Sequence, residues 1–152
     1  MGPACREGVD MAGERSQALL HILSEHFHSV MKCYPVAADP VTITGGAGVW
    51  AEGAKVEIVP ASTIDDEFDI HFVSISDISA ADNYEFILYA GGVGSEVEIA
   101  RVPFTRGSVQ VDSTQLKIIT PLIFADERIS GALATSGGGS DTCDVKLGYH
   151  TY

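Results

Sequence analysis

The stretch that decides the fold is Phe68–Thr105, which reads FDIHFVSIS, DISAADN, YEFILYA, GGVGSE, VEIARVPFT. Three runs rich in β-branched and aromatic residues, Phe68–Ser76, Tyr84–Ala90 and Val97–Thr105, are divided by Asp82-Asn83 and by Gly91-Gly92-Val93-Gly94, which are turn-forming residues. Neither gap can hold a crossover helix, so the three strands are expected to pair antiparallel. Tyr84–Tyr89 (YEFILY) is nearly apolar on both faces, as expected of a central strand or of one lying under a second layer. Val97 and Ile99 instead alternate with Glu96 and Glu98, giving one dry and one wet face. Pro103 has no N–H for a ladder, which predicts an edge or a bulge there.

Outward from this stretch the same spacing continues. Val41–Thr44, Lys55–Val59, Gln115–Thr120, Arg128–Thr135 and Cys143–Tyr149 read as further strands, with turns at Gly45-Gly46, Asp65-Asp66, Arg106-Gly107 and Gly137–Ser140. Eight short antiparallel strands over residues 36–152 predict a mainly β fold, a jelly-roll-like β-sandwich. The glycines of the 137–140 loop are expected to mark mobility.

The N-terminal part differs. Residues 1–15 contain no apolar period and are expected to be a flexible lead-in. Over residues 16–35 the spacing of Leu19, Leu20, Leu23, Phe27, Val30, Met31 and Tyr34 predicts an amphipathic helix, capped by Ser16 and stopped by Pro35. Such a stripe must cover a sheet or a neighbouring subunit.

Composition narrows the partners. The 152 residues carry 9 Lys+Arg against 21 Asp+Glu, a formal net charge of −12 with His neutral, while 45% of residues are hydrophobic. That describes a chain with a packed core and no basic footprint, which argues against nucleic acid or an anionic membrane as partner. No secretory signal is recognisable at Met1 and no run is long and apolar enough to span a bilayer. Cys5, Cys33 and Cys143 are odd in number and widely spaced, so free thiols are expected, with Cys33 and Cys143 packing as small apolar groups.

No motif carries a chemistry by itself. Gly91–Glu96 lacks the Lys and Ser/Thr of a phosphate loop and leads into a strand, so it reads as a hairpin. His21, Glu25 and His28 share one helix face and could ligate a transition metal, but a solvated face is the better reading. Asp65, Asp66, Glu67 and Asp69 lack EF-hand spacing and read as a solvated turn. No catalytic residue, cofactor or metal site is therefore expected. An enzyme with a metal site would need His71 or His150 to meet other ligands inside the sandwich. Arg101 and Arg106 stand out among nine basic residues, and with Glu96 and Glu98 nearby they are candidates for intersubunit ion pairs.

Several stretches together are familiar. Ala18–Ile22, Tyr34-Pro35-Val36, Glu57–Ser62, Phe68–His71, Leu88–Gly91, Gly94–Ile99, Arg101–Arg106, Thr120–Ile123 and Tyr149–Tyr152 occur in order. As a set, covering residues 16–152, they resemble a family of small virion structural proteins of tailed bacteriophages. The resemblance implies a β-sandwich that decorates or cements the capsid exterior. It implies a homotrimer seated where capsomers meet, with the major capsid protein as partner and no catalytic residues. The alternative station is a tail, collar or fibre subunit binding a host receptor or glycan. Candidate interface residues are Leu19, Leu20, Leu23, Phe27, Val30, Met31, Arg101 and Arg106. So acidic a protein is expected outside the shell, away from packaged DNA.

Overall fold

A computed structural model describes residues 30–36, 39–108 and 113–152. Nine strands follow one another: β1 (Lys32–Tyr34), β2 (Val41–Thr44), β3 (Val56–Val59), β4 (Phe68–Ser76), β5 (Asn83–Ala90), β6 (Val97–Thr105), β7 (Ser113–Lys117), β8 (Ile129–Thr135) and β9 (Thr142–Thr151). The three runs of the deciding stretch are β4, β5 and β6, with bounds within one residue of those expected. Among the described residues there is no helix.

The pairing shows why this is a jelly roll. β2 pairs with β9, β3 with β8, β4 with β7 and β5 with β6, all antiparallel, as in one long hairpin whose tip is the Gly91–Glu96 turn. Rolling that ribbon brings β9 beside β4 and β8 beside β5. The result is two sheets, one ordered β1-β9-β4-β7 with β2 also on β9, the other ordered β3-β8-β5-β6. We call them sheet A and sheet B. Their facing sides share one core, in which Ile43, Phe68, Val73, Ile75 and Val145 of sheet A meet Ile58, Phe86, Leu88 and Leu133 of sheet B. β5 is central, and β6, the strand carrying Pro103, is an edge.

Two local features depart from simple alternation. In β4 the register slips between Ile70 and Phe72, so a bulge reverses the phase. Phe68, Ile70, Val73 and Ile75 are buried, while Phe72 is only partly buried and its ring lies against Gly148 of β9. A Cβ at Gly148 would stand 2.0 Å from Cε1 of that ring, so glycine is required by contact. At the hairpin tip Gly91 and Gly94 have φ of 125° and 85°, which side-chain-bearing residues rarely adopt.

The helix expected over 16–35 lies outside the described residues as far as residue 29. Its end is corrected by the structure. Lys32–Tyr34 form β1, paired with Tyr149, Gly148 and Leu147 of β9. Proline disfavours the α conformation in the residue before it, here Tyr34, and the free edge of β9 offers that segment a ladder instead. Val30 and Met31 precede β1 in no regular element and are 78% and 39% exposed. Leu19, Leu20, Leu23 and Phe27, with His21, Glu25 and His28, lie outside the described residues. Cys143 is buried as expected, and burial pushes its thiol up to about 12. Cys33 is exposed, on the side of β1 that follows Gly148 outward.

Candidate functional site: an apolar edge, a charged face and a His–Asp cluster

β6 ends sheet B and β7 ends sheet A, and exposed apolar residues follow β7. After β7 the chain continues alongside the start of β4: the Ile118 amide donates to His71 O (2.9 Å) and the Ile123 amide to Phe68 O (2.7 Å). This continuation alternates. Ile118, Thr120 and Ile123 are buried, and the Thr120 hydroxyl accepts the Ile70 amide at 2.9 Å. Ile119, Leu122 and Phe124 project away and are 79%, 54% and 71% exposed. Between this segment and β6 runs a groove of about 400 Å³ lined by Ile99, Val102, Pro103, Ile118 and Ile119 among others. Ile119 is the one of these three exposed residues that lines this groove.

The outer face of sheet B is covered by charge over an apolar floor. Ile87 and Ala132 have no exposed surface and Ala134 has 1%, although they face away from the main core. Above them Arg101 forms ion pairs with Glu52 (2.8 Å), Glu85 (2.8 Å) and Glu98 (2.9 Å). Tyr89 donates its hydroxyl to Glu52 at 2.6 Å, and the Lys55 ammonium sits 4.0 Å from the Tyr89 ring centroid. Lys55 and Arg128 both reach Glu96, and Arg128 also pairs with Glu57 at 2.7 Å. Hydrogen bonds from Tyr89 and Arg101 hold the Glu52 carboxyl below its usual range, and the hydrogen bonds to Glu98, Glu52 and Glu85 raise the Arg101 guanidinium. Within the chain, Arg101, expected from the sequence to be an interface residue, has carboxylates of its own chain as partners. Glu96 is taken by Lys55 and Arg128 instead. Arg106 stands apart, just beyond the end of β6, where its guanidinium donates to the Ile78 carbonyl.

The same end of sheet B, where β5 begins and β6 finishes and where the Arg106 amide donates to the Asp82 carbonyl at 2.9 Å, is organised by Asp82. Its carboxylate accepts the Ser136 hydroxyl, the Thr135 hydroxyl (2.6 Å), the Asn83 amide (2.8 Å) and the Gly137 amide (2.5 Å). The Gly137–Ser140 loop is therefore tied at its start. These donors, the Ser136 and Thr135 hydroxyls foremost, lower the Asp82 carboxyl to about 2. A folded-state value below the unfolded one, about 3.9, means a contribution fully present above pH 4 and lost as pH falls through 2. Asp82→Asn is accordingly expected to lower the melting temperature at pH 7 and to flatten its fall between pH 4 and pH 2. Parallel slopes for variant and parent across that window would contradict it.

The third arrangement lies on the outer face of sheet A, near the end of β9. Asp69 of β4 is the direct cross-strand partner of His150, and the bulge adds His71 on the same side. His71 Nε2 lies 2.9 Å from Asp69 Oδ1, the His71 and His150 rings are 4.3 Å apart between centroids, and Tyr152 donates its hydroxyl to Asp69 Oδ2 at 3.0 Å. His71 and His150 thus do meet, but on the outer surface and not in the sandwich interior. Asp65, Asp66 and Glu67 stay exposed on their turn, while Asp69, read from sequence as part of that acidic run, belongs to the histidines.

The fold is a jelly-roll β-sandwich with exposed apolar residues after β7, a charged outer face on sheet B and a His–Asp cluster on sheet A. No protein-family model matches the chain, and no curated protein matches it. Among solved structures, chains of infectious bursal disease virus match: the Gt strain at 10% identity and the Gx strain at 12%, each with a TM-score of 0.45 over 82% of this chain. This chain spans about a third of those chains, 33% and 32%. At that distance no role is transferred from them. No helix among the described residues is long and apolar enough to cross a membrane.

Proposed function

We propose that the protein is a structural subunit of a virion that decorates the capsid exterior and cements neighbouring capsomers. The observation that carries this reading is the exposed apolar run Ile119, Leu122 and Phe124 that follows β7 along the edge of sheet A, on a sandwich whose interior is filled with side chains. The resemblance of the ordered stretches to a family of tailed-phage virion proteins supports it, and that resemblance suggests a trimer on the major capsid protein. The role is mechanical and not catalytic. Each copy would add buried apolar area across a capsomer boundary, and many modest contacts repeated over a shell resist outward pressure through multivalency. The acidic surface suits a subunit that must stay soluble at high concentration before docking.

Purified protein mixed with shells of the cognate major capsid protein is expected to bind to saturation at a copy number of the same order as the capsid protein. Leu122→Asp with Phe124→Asp is expected to abolish that binding, because burying two carboxylates in an apolar contact is strongly unfavourable. Both side chains are exposed, so the double variant should melt within a few degrees of the parent. Sedimentation with shells, followed by mass-spectrometric counting, reads the result. Binding to host cells but not to shells would favour the tail or fibre station. Undiminished shell binding by the double variant would remove this edge as the contact.

A further inference from the structure

We propose that Asp69, His71 and His150 form a binding site for one divalent transition-metal ion of the zinc class. Three features of the fold build it. The β4–β9 register sets Asp69 directly opposite His150. The bulge between Ile70 and Phe72 keeps His71 on the same side as Asp69, two residues along, in a stretch where Phe72 also turns outward. Tyr152 then holds Asp69 through Oδ2 and leaves Oδ1 turned to His71.

One ligand atom from each of the three residues lies within 4.8 Å of the other two. Zinc takes imidazole nitrogen and carboxylate oxygen at about 2.0–2.2 Å, so side-chain rotations that draw these atoms together by roughly 1 Å would complete the coordination. The backbone need not move, since adjacent strands already fix the three Cα positions. Two imidazoles and one carboxylate favour Zn²⁺, Co²⁺, Ni²⁺ or Cu²⁺ over Ca²⁺ and Mg²⁺, which require a shell of oxygens. Tyr152 occupies the position of an outer partner that orients a ligating carboxylate. Three protein ligands leave a fourth tetrahedral position, filled by water or by a donor from a neighbouring molecule. The ion would clamp β4 to β9, the two central strands of sheet A, at the bulge, where the ladder between them is interrupted.

The test uses the full chain, stripped with chelator, titrated with Co²⁺ and then Zn²⁺. The expected results are one equivalent bound per chain, a visible Co²⁺ absorption band of tetrahedral intensity displaced by Zn²⁺, and a rise in melting temperature on the order of 5 °C in excess Zn²⁺. His71→Asn and His150→Gln should each abolish the band and the Zn²⁺-dependent shift, while melting like the parent in chelator. Tyr152→Phe should weaken binding by about tenfold or more. His21→Asn with His28→Asn serves as the control and should leave binding unchanged. No bound equivalent, or binding that survives His71→Asn and His150→Gln, would overturn the proposal and leave a hydrogen-bonded His–Asp pair only. These readouts are independent of shell binding, so the site and the virion role fail or stand separately.

Discussion

Phe86→Ala is expected to lower the unfolding free energy by about 3–5 kcal/mol, the cost of deleting a fully buried aromatic ring in a core that relaxes only in part. Phe86 has no exposed surface. It lies on β5, the central strand of sheet B, in register with Leu133 of β8 and Val102 of β6. Its ring points between the sheets, where Ile43 and Ile58 also converge, so a cavity there would border both sheets at once. A domain of this size is stable by about 5–15 kcal/mol in total, so the variant should retain only part of its stability and melt roughly 10–20 °C lower. Urea unfolding followed by Trp50 fluorescence and far-UV circular dichroism measures it. A loss below 1 kcal/mol would mean that the two sheets do not share this core.

The second large effect is the converse, overfilling the same place. Gly131 of β8 faces the core, and a Cβ built on it would stand 2.8 Å from Ile58 Cδ1, 2.9 Å from Ile43 Cδ1 and 2.9 Å from Phe86 Cε2. The missing side chain is the slot into which those three groups fit. Gly131→Ala is expected to cost about 1–3 kcal/mol, and Gly131→Val more, because two further methyls meet the same atoms. The isoleucine termini can rotate, whereas the fully buried Phe86 ring has little room to yield. Combining Gly131→Ala with Phe86→Leu should therefore be less damaging than the sum of the two single changes, by roughly 1 kcal/mol or more. Strict additivity in that double-mutant cycle would show that Gly131 and Phe86 do not compete for one space.

Pairing within the roll explains why these positions are so exacting. β5 and β8 each have a neighbour on both edges, and β5 is covered on both faces. Its core side carries Tyr84, Phe86 and Leu88, while its outer side carries Ile87 and Tyr89 beneath the Arg101 ion pairs. Those pairs are partly exposed, so salt screens them and their stabilisation is modest, at most about 1 kcal/mol each. Their larger consequence is geometric: long side chains closing an apolar strip that would otherwise be open to water.

Much of this was legible in the chain itself, because a strand's alternation is a local property with a period of two. Phe68–Ser76, Tyr84–Ala90 and Val97–Thr105 declare themselves by side-chain chemistry and by the turns between them. Pro103 marks an edge because a missing N–H matters wherever the strand is placed. The acidic charge and the absence of a basic footprint likewise follow from composition. The apolar spacing up to Tyr34 misled at its end, since three residues cannot distinguish a helix from a strand, and the edge of β9 decided for the strand.

What only the tertiary structure decided are the meetings of residues far apart in the chain. Arg101 finds Glu52, 49 positions away, and Glu85, 16 positions away, because β6 and β5 lie side by side and the segment leading into β3 passes over them. Gly131 is a small residue in sequence and a slot for Phe86 only once two sheets close on it. His71 and His150 become neighbours through the β4–β9 register, and His71 stays with Asp69 while Phe72 turns outward because of a bulge with no local sequence signal. Alternation specifies which face of a strand is dry. Register, bulges and the rolling of the ribbon, which depend on packing across the whole domain, specify which residues share that face.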